Sequence, residues 1–259
     1  MSASVLLEVS DLWKSFEGLL AVKAVSFNVY RGDICSVVGP NGAGKTTVIN
    51  LITGVYSPNQ GKVIYLGRDL VGLQPHQVIS QGIARTFQNV RVFGNMTVLE
   101  NVMIGYHRLV TVNLLDVALS LPKARSEEKF IRGRAMETLE MVGLANRASE
   151  HADSLPLGMQ KLLELARSLI SRPGLLLLDE PAAGLNDAET EALGHMLRRI
   201  RDGGVTILLI EHNMPLVMTV SDRIVVLDHG EKIAEGTPVE IRMNPAVITA
   251  YLGREALVS

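Results

Sequence analysis

A chain of 259 residues, 47% hydrophobic and 20% charged, has apolar material for a large core, which excludes wholesale disorder. Its net charge of −2 and pI near 6.3 give no electrostatic reason to expect a nucleic-acid partner. The single cysteine, Cys35 in an apolar run, excludes a disulfide framework or a cysteine-rich zinc site within the chain.

In chain order, Val25, Phe27 and Val29 alternate with polar Ser26 and Asn28 up to the turn Arg31-Gly32-Asp33, the period of a half-buried strand. Residues 34–38 are mostly apolar, as in a parallel strand buried on both faces. A glycine-rich turn follows, and Val48, Ile49, Leu51 and Ile52 then mark a helix stopped by Gly54. Residues 62–66 read as another strand, closing on Gly67-Arg68-Asp69. Residues 110–122 are apolar but interrupted by Asn113 and Asp116, and their state stays open. Over 126–142, Ile131, Ala135, Leu139 and Val142 share one helical face that ends at Gly143.

The stretch from Leu155 to Asn186 reads LPLGMQKLLELARSLISRPGLLLLDEPAAGLN. A glycine-bearing turn opens a helix, Pro173-Gly174 ends it, and an apolar strand finishes in Asp179-Glu180. Asn186-Asp187-Ala188-Glu189 has the form of a capping box and starts a helix with Leu193, Met196, Leu197 and Ile200 on its buried face. Gly203-Gly204 releases the chain into a strand over 205–210, and Thr237-Pro238-Val239-Glu240 caps one last amphipathic segment. Strands alternating with helices, plus a strand-rich and a helical excursion, predict a parallel-sheet core with two attached subdomains. No segment approaches the ~18 continuous apolar residues of a membrane span, and MSASVLLEVSDLW lacks the basic region of a secretory signal. A cytoplasmic protein is expected, reaching a membrane only through a partner.

Gly39-Pro40-Asn41-Gly42-Ala43-Gly44-Lys45-Thr46 fits G-x4-G-K-[ST] in full, with Thr47 following. Glycines let the backbone curl until successive N–H groups face phosphate oxygens, with a helix N-terminus behind them. Lys45 reaches the β- and γ-phosphates and the Thr46 hydroxyl ligates Mg²⁺. The cradle alone leaves kinases, GTPases, helicases and transport ATPases open. Asp179 and Glu180 stand at a strand's C-terminal end, where ligands sit in open parallel sheets. Asp179 is placed to hold Mg²⁺ through water, and Glu180 to polarise the attacking water as general base.

With both halves of the 155–186 stretch present, the chain resembles the nucleotide-binding subunits of ABC transporters over nearly its whole length. That implies an α/β fold, a P-loop NTPase (RecA-like) parallel-sheet core with an antiparallel β subdomain and an α-helical subdomain. Residues 1–259 would form one nucleotide-binding domain, with the helical subdomain at about 89–155 and a C-terminal tail at about 228–259. The resemblance also implies roles for single residues. Leu155, Pro156, Leu157, Gly158 and Met159 stand where the usual L-S-G-G-Q motif completes the active site of a second subunit, so that two ATPs are sandwiched head to tail. Gln88 corresponds to the glutamine that touches Mg²⁺ and senses the membrane subunit. Asn186 lies in the dimer-crossing loop in place of an aspartate, and His212 sits where a histidine contacts the γ-phosphate. Phe16 is placed like the aromatic that stacks on adenine, with Trp13 as runner-up and a core role for Phe16 as the plain alternative.

Within the class the chain resembles the LivG type of branched-chain amino acid importer subunit. Ala182-Ala183-Gly184-Leu185-Asn186, the stretch IEHNMPLVM from Ile210 and the tail GTPVEIRMNPAVITAYLG from Gly236 carry that likeness. It implies ATP and Mg²⁺ as cofactors and a second homologous ATPase subunit, expected as a heterodimer with a homodimer allowed in isolation. It implies two transmembrane permease subunits, an external solute-binding protein and a position on the inner face of the cell membrane. Relatives with such tails also serve urea, amides or aromatic acids, and a more distant one drives lipopolysaccharide export. Soluble ABC ATPases of DNA repair carry a coiled coil, and ribosome-associated ones a second cassette, that this chain lacks; a cluster-assembly ATPase stays open. A metabolic kinase has no use for His212 or the tail. Pro156 departs from the family's serine, having neither hydroxyl nor backbone N–H, and Met159 replaces a glutamine. The ATP site facing this segment is therefore expected to hydrolyse more slowly than its twin.

Overall fold

The computed structural model describes residues 4–86, 91–106 and 122–255. It divides into two compact units, Met1–Ile83 with Gly174–Ser259, and Ala84–Pro173.

In the first unit, β1 (Val5–Phe16) and β2 (Leu19–Tyr30) form a long antiparallel hairpin. Glu17 and Gly18 both have positive φ, 47° and 91°, as a two-residue hairpin turn matching the strand twist requires. β4 (Gln60–Tyr65) pairs with the other edge of β1, and β5 (Arg68–Asp69) closes a four-stranded sheet in the order β2-β1-β4-β5.

A six-stranded sheet forms the rest of the core. Its members are β3 (Ile34–Val38), β6 (Ile83–Arg85), β7 (Leu175–Asp179), β8 (Thr206–Ile210), β9 (Arg223–Asp228) and β10 (Glu231–Gly236), ordered β10-β9-β3-β8-β7-β6. β9, β3, β8 and β7 are mutually parallel, while β10 returns antiparallel on β9. Every residue of β3, β7 and β8 is buried, which is why these strands are mostly apolar, with Ser36, Asp179 and Thr206 as their buried polar members. The two faces pack into different cores, following the period of two. Cys35, Val37, Val225 and Leu227 join β1, β2, β4 and the helix α1 (Lys45–Ile52). Val38, Ile224 and Val226 face the tail and the helix that follows β8. Burial pushes the Cys35 thiol up to about 12, so it stays a neutral packing side chain.

Three further helices of this unit lie before and after β8. They are α2 (Pro75–Ser80), α6 (Asp187–Asp202) and α7 (Met214–Val220). Leu193, Leu197 and Ile200 of α6 are buried, whereas Met196 is only half-buried. A Cβ on Gly194 would lie 3.1 Å from Leu216 and 3.2 Å from Val220, so the glycine lets α7 approach α6 closely. The single amphipathic segment expected after Thr237 is two helices, α8 (Pro238–Arg242) and α9 (Pro245–Glu255). Pro245 has no N–H to continue α8, and the Asn244 carboxamide instead accepts from the N–H groups of Ala246 and Val247. β9 and β10, which the sequence reading left unassigned, carry the cradle-facing turn described below.

The second unit is helical in its described part: α3 (Val98–Ile104), α4 (Pro122–Met141) and α5 (Leu157–Leu169). Ile131, Ala135, Leu139 and Val142 are buried as their spacing predicts. Buried Asn101 pins the turn before α3, accepting from the Phe93 N–H and donating to the carbonyls of Phe93 and Thr97. Most of the uncertain segment 110–122 lies outside the described residues. Among the described residues no helix is long and apolar enough to cross a membrane.

Candidate functional site

The register of the parallel strands brings three loops to one edge of the sheet. Val37 and Asp179 both stand opposite Ile210. The chain therefore leaves β3 at Gly39, β7 at Glu180 and β8 at Glu211, all at the C-terminal edge where open sheets bind ligands.

Between β3 and α1 the chain makes a tight cradle. Gly39 has φ 153°, and a Cβ there would fall 2.1 Å from the Leu227 carbonyl oxygen. The loop thus presses against β9 at a point where only hydrogen fits. Gly44, the N-cap of α1, has φ 98°, a left-handed value that favours glycine. The turn between β9 and β10 holds the cradle from the side, with the Gly230 N–H donating to the Ala43 carbonyl at 3.1 Å. Lys45 is 5% exposed, and its ammonium curls back to donate to the carbonyls of Gly39 at 2.7 Å and Pro40 at 3.0 Å. Thr46 and Asn41 are exposed and Pro40 and Thr47 half-buried at the cradle's open side.

Asp179 ends β7 and is buried. The next residue, Glu180, adopts φ 49°; a non-glycine side chain in the left-handed region marks a position held by its surroundings. Its N–H donates to the Ile210 carbonyl at 2.8 Å. The Glu180 carboxylate lies 3.7 Å from Nδ1 of His212, the second residue past β8. The carboxylate is largely sheltered while the imidazole is half-exposed, so a bound group could reach both from the open side.

One residue of this edge was not foreseen. Glu211 is fully buried. One of its oxygens accepts from the Ala182 N–H at 2.7 Å, and the other from the N–H groups of His212 at 3.0 Å and Asn213 at 3.1 Å. The sequence signal was an acidic residue directly after a mostly apolar strand, which reads equally as a solvated turn. Asn213 in turn caps α7 through the Leu216 N–H.

Phe16 lies at the end of the β1–β2 hairpin, 36% exposed, so it is not a core residue. Its ring meets Tyr56 edge-on with centroids 5.1 Å apart, and the Lys14 ammonium sits 5.1 Å from the Phe16 ring centroid. A Cβ on Gly44 would meet the Ala21 carbonyl at 2.6 Å; the hairpin end therefore runs beside the cradle. Tyr56 is a second exposed aromatic here that the sequence reading passed over. Trp13 is half-buried, its indole N–H donating to Asp11 at 2.9 Å.

Asn186 is exposed and caps α6. Its side chain accepts from the Glu189 N–H at 3.0 Å while Glu189 accepts from the Asn186 N–H at 3.0 Å. An asparagine serves that cap as well as an aspartate does. In the second unit, Leu155 is buried, Pro156 is the N-cap of α5 without a side-chain cap bond, and Leu157 is exposed. Gln160 donates to the Leu155 carbonyl at 2.9 Å. The N–H groups of Leu157, Gly158 and Met159, in the first turn of α5, have no partner inside the helix. Gln88 lies outside the described residues.

Comparison with known proteins agrees along the chain. The family described as ABC transporter matches residues 22–183. One described as branched-chain amino acid ATP-binding cassette transporter matches residues 231–256. The chain is 46% identical over 249 residues to the high-affinity branched-chain amino acid transport ATP-binding protein BraF of Pseudomonas aeruginosa, covering 96% of this chain and 98% of that protein. It is 45% identical, with the same coverage, to the corresponding protein LivG of Escherichia coli. Among solved structures, the ADP conformation of an ATP-binding cassette of an ABC transporter superposes with a TM-score of 0.84 at 30% identity, over 96% of this chain and 99% of that one. A nucleotide-free cassette gives 0.82 at the same identity and coverage.

Proposed function

This chain belongs to the ABC transporter family of ATP-binding cassettes, and on that premise we propose that it is the ATP-hydrolysing subunit of an importer for branched-chain or related hydrophobic amino acids. The observation that carries the catalytic part is the approach of Glu180 to His212 at 3.7 Å, on the same sheet edge from which the phosphate cradle springs. The cargo rests on the likeness to branched-chain amino acid transport proteins over nearly the full length.

In this reading the cradle's N–H groups and the start of α1 receive the ATP phosphates. Lys45 exchanges the carbonyls of Gly39 and Pro40 for the β- and γ-phosphate oxygens. Phe16, with Tyr56 behind it, offers a face to the adenine. Glu180 takes a proton from water as its oxygen attacks the γ-phosphorus; the bond to the β-phosphate oxygen breaks and ADP leaves. His212 donates to a γ-phosphate oxygen as charge gathers there.

Thr46 and Asp179 offer hard oxygen donors, and among the described residues no group of three His, Cys, Asp or Glu could hold a metal by itself. That suits Mg²⁺, which keeps few protein ligands and binds with substrate phosphates. Thr46, Asp179 and Gln88 would hold it, and it would neutralise charge between the phosphates.

Dimerisation with a homologous ATPase, expected to be a different chain, brings the first turn of α5 to the partner's ATP. The Leu155–Met159 segment contributes backbone N–H groups and the positive end of the helix, with Asn186 in the loop that crosses the dimer. Paired permease subunits, engaged through Gln88 and the helical unit, hold the ATPases on the inner face of the membrane, and an external binding protein delivers cargo.

Removing a general base typically lowers turnover about 10²–10⁴-fold, so Glu180→Gln is expected to retain MgATP and lose hydrolysis by that factor. A purified chain that does not bind ATP, or a Glu180→Gln variant that turns over at the normal rate, overturns the catalytic reading. Uptake of labelled leucine, urea, amides and aromatic acids by cells with and without the chain separates the cargo from its alternatives.

A further inference from the structure

We propose that Glu211 is a positioning residue for hydrolysis, a strut that fixes the general base and the histidine relative to each other. This rests on the reading of Glu180 as the base, and it adds a residue that neither the phosphate-loop motif nor the acidic strand end includes.

The geometry is that of a clamp. Glu211 leaves the end of β8 with no solvent exposure, and its two oxygens serve different loops. One accepts from Ala182, two residues past Glu180. The other accepts from His212 and Asn213. All three donors are backbone N–H groups, so the side chain holds the main chain of both loops directly. Glu180 is already fixed at one end by its N–H bond to Ile210. The Ala182 bond fixes the far side of the same turn, leaving little freedom for a left-handed residue at φ 49°. On the other loop, the carboxylate lies 4.0 Å from Nδ1 of His212, which in turn stands 3.7 Å from Glu180. The Glu180–His212 spacing is therefore set through one buried side chain.

A carboxylate is suited to this task and its near relatives are not. It can accept on both oxygens. Glutamine keeps the length but offers one acceptor, so its amide NH₂ must face either the Ala182 N–H or the His212 and Asn213 pair. Aspartate keeps the charge but is shorter by one methylene and cannot reach both loops at once. Either change leaves a backbone N–H buried without its acceptor and lets the two loops drift. A misplacement of about 1 Å near a reaction centre can lower a rate about 10²-fold.

The test uses the full-length chain. Glu211→Gln and Glu211→Asp are compared with wild type in fluorescent-ATP titration, thermal melting and hydrolysis, and Glu211→Gln is also placed in the Glu180→Gln background. Expected is a turnover at least about tenfold lower in both single variants, by the positioning argument. Nucleotide affinity should stay within about twofold and the double variant no slower than Glu180→Gln alone, because the strut acts through the base. Wild-type turnover in both variants overturns the proposal, as does a loss matched by an equal loss of ATP affinity. If Glu211→Gln does not fold, Glu211→Asp carries the same comparison by itself. A Glu180→Gln variant with wild-type turnover overturns instead the assignment of the base.

Discussion

Alanine at position 39 would put a Cβ 2.1 Å from the carbonyl oxygen of Leu227 and 3.1 Å from its carbon. Leu227 is fully buried and pairs with Lys232 of β10, so the cradle must yield rather than the strand. Reaching even a 3.0 Å contact needs a shift of about 0.9 Å in the loop whose N–H groups are proposed to receive the phosphates. Overpacking costs about 1–3 kcal/mol and a side chain at φ 153° adds strain of about 1–3 kcal/mol. Gly39→Ala is thus expected to lose about 2–6 kcal/mol out of the ~5–15 that keep a protein folded. Gly42→Ala is the matched control, with φ 83° and nothing within 4 Å of the added carbon. It bears only the left-handed penalty, about 1–2 kcal/mol. Urea unfolding and MgATP titration of the two variants measure the difference. Gly39→Ala should be the less stable and bind ATP at least about tenfold more weakly than wild type, equal to ~1.4 kcal/mol. Equal stability of the two variants, or wild-type ATP affinity in Gly39→Ala, would refute the argument from close approach.

Other outcomes follow from single contacts. Asn186→Ala removes the side-chain half of the α6 capping box, the bond from the Glu189 N–H, while the backbone N–H at 186 still donates to Glu189; the loss should cost about 1 kcal/mol, read as a lower melting temperature, with Asn186→Asp close to wild type. Pro156→Ser gives α5 the side-chain cap it lacks and should add about 1 kcal/mol of stability. Combined with Met159→Gln in the assembled transporter it should also raise ATPase activity, since a charge-assisted hydrogen bond is worth about 1.5–3 kcal/mol; unchanged activity would mean that backbone groups suffice. Gly133→Ala, inside α4 with open space around the new carbon, should stabilise by about 0.5–1 kcal/mol in denaturant. Backbone and hydroxyl hydrogen bonds from Thr97 and Thr237 hold Glu100 and Glu240 below the ordinary carboxylate value of 4.5. Their caps therefore contribute fully above that pH and are lost as the pH falls through the depressed values. Unfolding midpoints between pH 7 and 3 should fall more for wild type than for the Glu100→Gln, Glu240→Gln variant, and parallel curves would contradict this.

The parts of the fold and site legible in the sequence are those whose physics is local. Glycines at 39, 42 and 44, the lysine and threonine after them, and the Asn186 and Thr237 caps act within a few residues of themselves, so their spacing is enough to identify them. The same holds for β3, β7 and β8, whose burial on both faces favours mostly apolar runs. Phe16 was legible as a residue type but not in its surroundings, because Tyr56 reaches it from the bend between α1 and β4. The break at Asn244-Pro245 was visible in the letters yet passed over, since a capped start and an apolar face suggested one helix.

Glu211 was illegible for a different reason. A carboxylate after an apolar strand is solvated or buried according to which N–H groups stand nearby, and one of its donors, Ala182, lies 29 residues away in the chain. The approach of Glu180 to His212 likewise depends on β7 and β8 pairing with Asp179 opposite Ile210. Sequence alone determined the glycine-rich loop with its lysine and threonine, the strand-end acids and the helix caps, each made by neighbours in the chain. Tertiary structure alone decided which acid meets the histidine and which one holds both loops, because parallel strand register is a property of long-range packing that no local spacing encodes.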